Sequence, residues 1–134
     1  MALPEPLDWG PVTRTELVRY AGASGDFNPI HHDGEVARAA GLPDVMAQGM
    51  YSAGLLASTL ERWFGQGSLL GYRVRFRAPV WPGDRLQARC ESLEPAGDQL
   101  ADLDLALVRA DGTLVLSATA RVRLPQPNSE EACP

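Results

Sequence analysis

The sequence predicts an α+β fold in which a curved antiparallel sheet wraps a central helix. Three observations carry that expectation. From Gly49 to Phe64 the apolar residues do not keep to one stripe: Met50, Ala53, Ala57 and Leu60 share a face, Tyr51, Leu55 and Leu56 fill others, and charge returns only at Glu61 and Arg62. A helix apolar nearly all round has to be enclosed. The chain that follows changes to a period of two, in four stretches whose residues alternate between two faces, as half-buried antiparallel strands do. Turn chemistry separates these stretches, at Pro82-Gly83, at Pro95-Ala96-Gly97-Asp98 and at Asp111-Gly112, the last a strong hairpin signal. A fully apolar helix followed by a one-faced meander is buried when the sheet curves around it.

Taken in order, Asp8 to Val12 is a short opening strand. Thr13 starts a helix, because Thr13-x-x-Glu16 is a capping box and Val12 with Leu17 forms the matching hydrophobic staple. That helix is expected to end near Gly22. Asp33 caps a short helix from Gly34 to Ala40, with Gly41 at its stop and Pro43 just beyond. After the enclosed helix, Leu70, Tyr72, Val74, Phe76 and Ala78 alternate with Gly71, Arg73, Arg75 and Arg77. Leu86, Ala88 and Cys90 alternate with Arg85, Gln87, Arg89 and Glu91; Ala101, Leu103, Leu105 and Leu107 alternate with Asp102, Asp104 and Ala106. Leu114, Leu116, Ala118, Ala120 and Val122 alternate with Val115, Ser117, Thr119 and Arg121. Residues 1–124 read as a single domain, and 125–134 as a polar, proline-bearing, disordered tail.

Composition narrows the function classes. With 134 residues, 45% of them hydrophobic, the chain has apolar material for one core. A net charge of -5 argues against nucleic-acid binding, which needs a basic face. The longest uncharged run, Val45 to Leu60, has 16 residues and includes Gln48, Ser52, Ser58 and Thr59, whereas a bilayer crossing takes roughly 20 mostly apolar residues. Met-Ala-Leu-Pro-Glu-Pro at the start lacks the basic and apolar regions of a signal peptide. Cys90 in a strand and Cys133 in the tail form neither a disulfide framework nor a metal spacing. The expected setting is the cytoplasm, with no membrane or nucleic-acid partner.

The chemistry centres on Tyr20 to Asp33. Asp26 and His31 stand five positions apart on a segment that Gly22, Gly25 and Pro29 keep from being one regular helix. Such a bend can turn a carboxylate and an imidazole toward one point, and these groups move protons readily near neutral pH. The plainer alternative is a loop with a capping Asp and a solvated His. Gly49, at the start of the enclosed helix, places free backbone N–H groups and the positive end of the helix dipole where an anion can be held, with no side chain in the way.

Ser24-Gly25-Asp26-Phe27-Asn28-Pro29-Ile30-His31 resembles the signature of the MaoC-like (R)-specific enoyl-CoA hydratase and 3-hydroxyacyl dehydratase family. Gly41-Leu42-Pro43, Gly49-Met50 and Pro79-Val80-Trp81-Pro82-Gly83-Asp84 fit the same family in the same order, so the resemblance runs from about Thr13 to Leu124. It implies a hotdog fold and the reversible hydration of trans-2-enoyl thioesters to (R)-3-hydroxyacyl thioesters. In that reading Asp26 and His31 hold and activate the water, and Gly49 gives a backbone donor to the thioester oxygen. No metal or redox cofactor is implied, and the substrate is an acyl-CoA or acyl-carrier-protein thioester. Family sites lie near an interface between protomers. Open sheet edges independently suggest a homodimer. Heterodimerisation with a second hotdog chain is the variant in which this chain is the catalytic half of a carrier-protein dehydratase.

Other residues take supporting parts. Asn28 and Pro29 shape the site, the first by bonding backbone groups and the second by holding the chain rigid before His31. Gln48 stands where relatives commonly have His; it can hydrogen-bond but not titrate. A Ser found in some relatives seven residues after the Met is Ala57 here. His32 is expected to face away from His31, which counts against a metal site of Asp26, His31, His32 and Asp33. Arg73, Arg75 and Arg77 share a strand face and are candidates for thioester phosphates, or else ordinary solvated charge. Met46, Tyr51, Leu55, Trp63 and Phe64 are available for an acyl slot, each more simply explained as core. The alternatives in other classes are a silent acyl-thioester-binding hotdog and a hotdog thioesterase. No serine-hydrolase elbow supports the latter, since Met50 precedes Ser52 where a Gly is required.

Overall fold

The computed structural model describes residues 2–126. Of the tail expected to be disordered, 125–134, all but Pro125 and Gln126 lies outside the described residues, as does Cys133. Five strands, β1 (Leu7–Trp9), β2 (Leu69–Phe76), β3 (Leu86–Pro95), β4 (Leu100–Arg109) and β5 (Leu114–Arg123), form one antiparallel sheet in the order β1-β3-β4-β5-β2. Its centre is the β3-β4-β5 meander, and the strand following the long helix crosses to the far edge to pair with β5. Three helices accompany it: α1 (Arg14–Ser24), α2 (Gly34–Ala39) and α3 (Gly49–Phe64). Among the described residues no helix is long and apolar enough to cross a membrane.

The local signals fix most boundaries. Thr13 accepts the Glu16 N–H and Glu16 reaches back to the Thr13 N–H, the reciprocal capping box. Val12 and Leu17 beneath it are both buried. The helix runs past Gly22 to Ser24, because an interior glycine costs a helix about 1 kcal/mol without stopping it. The stop is Gly25, whose φ of 75° turns the chain left-handed while its N–H closes onto the Ala21 carbonyl. The opening strand ends at Trp9 rather than Val12, since Gly10 takes φ 103° and a Cβ there would stand 2.8 Å from the Asp84 carbonyl oxygen.

Helix α3 buries Ser52, Ala53, Leu56, Thr59 and Leu60 against the sheet. Leu86, Ala88, Leu103, Leu107, Leu116 and Val122 supply the concave face. Each edge strand sends one hydrogen bond into the helix: Trp9 Nε1 donates to Thr59 Oγ1 at 2.8 Å, and the Tyr72 hydroxyl donates to the Ala53 carbonyl at 2.7 Å. Burial pushes the Tyr72 phenol up to about 12. Truncating Leu56 or Leu60 to Ala removes fully buried side chains, at a cost of about 2–5 kcal/mol.

Enclosure of α3 is one-sided, which corrects the sequence expectation. Met50 is 60% exposed, and Gly54 and Ser58 continue the open flank, because one concave sheet covers one side of a helix. Strand β2 departs from simple alternation as well. A bulge between Leu69 and Gly71 turns Leu69 inward and leaves Leu70 49% exposed. On β4, Ala106 is buried although it lies on the outer face, between Arg89 and Ser117.

Candidate active site

Helix α1 delivers the chain to the site in a short series of side-chain turns. The Asp26 N–H donates to Ser24 Oγ, Asp26 Oδ1 accepts from the Asn28 N–H, and Asn28 Oδ1 accepts from the Ile30 N–H. Asn28 thereby caps a single 3-10 turn, Pro29–His31, in which Pro29 supplies a preset φ at the first position. The outcome is convergence: His31 Nε2 stands 3.4 Å from Asp26 Oδ2. The two groups differ in setting, the imidazole being nearly buried and the carboxylate about half exposed.

The other ring nitrogen decides what His31 can do. Its Nδ1 is 2.7 Å from the Met46 carbonyl oxygen. A carbonyl only accepts, so Nδ1 carries a proton, and in the neutral ring the lone pair is left on Nε2, facing Asp26. Met46 in turn donates its N–H to the Ile30 carbonyl. The sequence held no signal for this anchor, because a main-chain acceptor has no side-chain signature.

Three residues beyond Met46, Gly49 begins α3 with no side chain capping the helix; the Tyr51 N–H bonds the Gln48 carbonyl, and the Gly49 N–H ahead of it stands where an anion can be met. A Cβ at Gly49 would lie 3.1 Å from the ring of Phe76, so even a methyl group there would press on that ring. A largely apolar cleft of about 450 Å³ opens beside it, walled by Leu42, Met46, Phe76, Trp81 and Val115 and floored by Ser52. Asp26 and His31 are not in its lining; Met46 joins the two parts, bordering the cleft and holding His31. Of the five residues considered for an acyl slot only Met46 lines this cleft. Tyr51 instead packs edge-on against Tyr20, and Trp63 against Phe64, while Leu55 packs against the core. Phe76 and Trp81 were missed as wall residues, although Trp81 lies in one of the family segments.

Gln48 is 2% exposed, its Nε2 donating to the Leu17 carbonyl at 3.1 Å, with Oε1 buried and unpartnered among the described residues. It braces α1 against the start of α3 and does not reach Asp26 or His31 by any hydrogen bond. Of the three arginines only Arg77, just past the end of β2, borders the cleft. Arg73 and Arg75 sit on the outer face of the sheet opposite Thr119 and Ser117. His32 is exposed, turned out by the 3-10 turn and not by an extended segment as expected. Asp33 is occupied in capping α2, where it accepts from the Glu35 and Val36 N–H groups. Among the described residues no three His, Cys, Asp or Glu side chains gather where they could hold a metal ion.

Comparison with known proteins identifies the family and the fold. A model of the MaoC-like domain matches residues 4–102. The chain is 32% identical over 113 residues to the (R)-specific enoyl-CoA hydratase of Aeromonas caviae, covering 82% of this chain and 84% of that protein. It is 30% identical over 125 residues to the 3-hydroxybutyryl-CoA dehydratase of Methylorubrum extorquens, covering 92% and 78%. The solved (R)-hydratase from A. caviae involved in PHA biosynthesis superposes with a TM-score of 0.82 at 25% identity, over 93% of this chain and 98% of that one. These relatives are hydro-lyases, and the sheet wrapped on α3 is the hotdog fold. With the sequence match covering most of its length and the framework superposing nearly end to end, the chain belongs to the family of MaoC-like domains.

Proposed function

We propose that this protein hydrates trans-2-enoyl thioesters to (R)-3-hydroxyacyl thioesters, and catalyses the reverse dehydration, with Asp26 and His31 as its catalytic pair. The observation that carries the reading is the 3.4 Å approach of Asp26 Oδ2 to His31 Nε2. Two atoms so spaced can both stand at hydrogen-bonding distance, about 2.8 Å, from one water oxygen. Nε2 has its lone pair free for a water proton, because Nδ1 is committed to Met46. The water oxygen bonds to the β-carbon, and the proton it gives up is returned through the pair to the α-carbon. Negative charge that develops on the thioester oxygen meanwhile is met by the Gly49 N–H at the head of α3.

The apolar cleft beside Gly49 takes the organic part of the thioester, and Arg77 at its border meets phosphate of a coenzyme A or carrier-protein arm. The protein works in the cytoplasm as a homodimer. The eight-residue free edge of β2, with Leu70, Phe76 and Met50 exposed nearby, supports a second copy as the partner. Incubation with crotonyl-CoA tests the activity: loss of the conjugated enoyl absorbance with formation of (R)-3-hydroxybutyryl-CoA is expected. Release of free thiol would identify a thioesterase, and binding without turnover a silent acyl-thioester protein.

A further inference from the structure

The two members of the pair are held by different parts of the chain. His31 is fixed by the Met46 carbonyl, three residues before Gly49, so it moves with the head of α3. Among the described residues Asp26 has no hydrogen bond to the head of α3. Its backbone N–H bonds back to Ser24 at the end of α1 and its carboxylate accepts from Asn28 at the start of the 3-10 turn, so its position relative to Gly49 depends on where α1 is held as well as on that turn.

Two adjacent residues of α1 meet the first turn of α3. The Tyr51 hydroxyl donates to Glu16 Oε2 at 2.6 Å, and Gln48 Nε2 donates to the Leu17 carbonyl at 3.1 Å. Tyr51 also packs its ring edge-on against Tyr20 of α1, with centroids 5.8 Å apart. The Tyr51 phenol is pushed above its ordinary range, by burial first and then by the bond to Glu16 and its charge, so it stays a donor throughout the working range. A charge-assisted bond of this length is stronger than a neutral one and fixes both ends. Glu16 Oε2 is also the oxygen nearest the Thr13 N–H, so the residue that caps the start of α1 docks the helix too. The Arg14–Asp44 pair near the same end is solvent-exposed and contributes little by comparison.

We propose that the Tyr51–Glu16 bond, backed by Gln48 on Leu17, is a clamp that sets the distance between Asp26 and Gly49, which makes Tyr51 and Glu16 positioning residues for the reaction. The inference rests on the reading above, in which Asp26 and Gly49 serve one hydration. The clamp touches no substrate and acts through the placement of Asp26. Misplacing a reacting group by an ångström can cost up to about a hundredfold in rate without altering binding.

The test is steady-state kinetics of crotonyl-CoA hydration by Tyr51→Phe, Glu16→Ala and Glu16→Gln, with Tyr51→Phe also placed in an Asp26→Asn background. Tyr51→Phe keeps the ring packing on Tyr20 and removes only the hydroxyl. It and Glu16→Ala are expected to lower kcat about tenfold with KM changed less than about twofold. Glu16→Gln, which retains an acceptor for the phenol, restores most of the rate. With Asp26 already replaced, Tyr51→Phe is expected to cost less than about a further twofold, because the two changes act on one element. A wild-type kcat in Tyr51→Phe, the same tenfold loss in both backgrounds, or a Glu16→Gln as slow as Glu16→Ala would overturn the clamp. Wild-type activity in Asp26→Asn alone would overturn the catalytic reading beneath it, and so separates the two failures.

Discussion

His31 is anchored by main chain: its Nδ1 lies 2.7 Å from the carbonyl oxygen of Met46, and that bond turns Nε2 toward Asp26. Because the acceptor is a carbonyl, no side-chain substitution at Met46 removes it, and the tautomer is set by the backbone path. Replacing His31 by Ala therefore has two effects. It leaves a part-buried carbonyl without its partner, at a cost of about 1 kcal/mol, and removes the proposed base, worth about 10²–10⁴ in rate. Urea unfolding and crotonyl-CoA hydration measure the two losses separately.

Gly49→Ala is expected to lower kcat/KM by about tenfold or more, with little change in melting temperature. Alanine is the better helix former, so the helix itself does not suffer. The new Cβ meets the Phe76 ring at 3.1 Å, beside the N–H proposed to meet the thioester oxygen. Adding Phe76→Ala removes that collision, and kcat/KM of the double variant should recover part of the loss. No recovery would place the defect in the approach of substrate to the backbone donor itself.

Arg77→Ala is expected to raise KM for a coenzyme A thioester several-fold, an effect that weakens with added salt. Arg73→Ala and Arg75→Ala, on the outer face of the sheet, are expected to stay within about twofold of wild type. Initial-rate measurements on the three variants decide whether one arginine or the whole row meets the phosphates.

Stability should fall on the alkaline side. The folded-state value for Tyr72, about 12, lies above the ordinary 10.0, so the folded chain holds that proton more tightly than the unfolded chain. The contribution is complete below pH 10 and is lost as pH rises toward 12. Denaturant midpoints measured upward from neutral pH should drop across that window, and less steeply in Tyr72→Phe. The acid side has the opposite sign: Arg14 and Arg121 hold Asp44 and Asp102 below their ordinary 3.8, so their contribution is present above that pH and is lost as pH falls through the lower folded values. Both pairs are exposed, so this effect is the smaller one.

Much of this was legible from local chemistry. The capping box at Thr13, the cap at Asp33 and the period-two stretches depend on neighbours in sequence, and the elements appear where those neighbours put them. Asp26 and His31 were legible as a pair because Gly25, Asn28 and Pro29 encode the bend between them. What was not legible depends on partners distant in sequence. Met46 acts through its carbonyl, and Phe76 reaches Gly49 only after β2 crosses to the far edge of the sheet. The open flank of α3 was missed for a related reason: composition shows that a helix is apolar but not how much of it five strands can cover.

The most direct test of the account is the rate of crotonyl-CoA hydration by Asp26→Asn, measured beside its unfolding curve. Asp26 is half exposed and contributes little packing, so the variant should unfold at the wild-type midpoint while its kcat falls by about 10²–10⁴. A variant that is equally well folded and hydrates crotonyl-CoA at the wild-type rate would contradict the account.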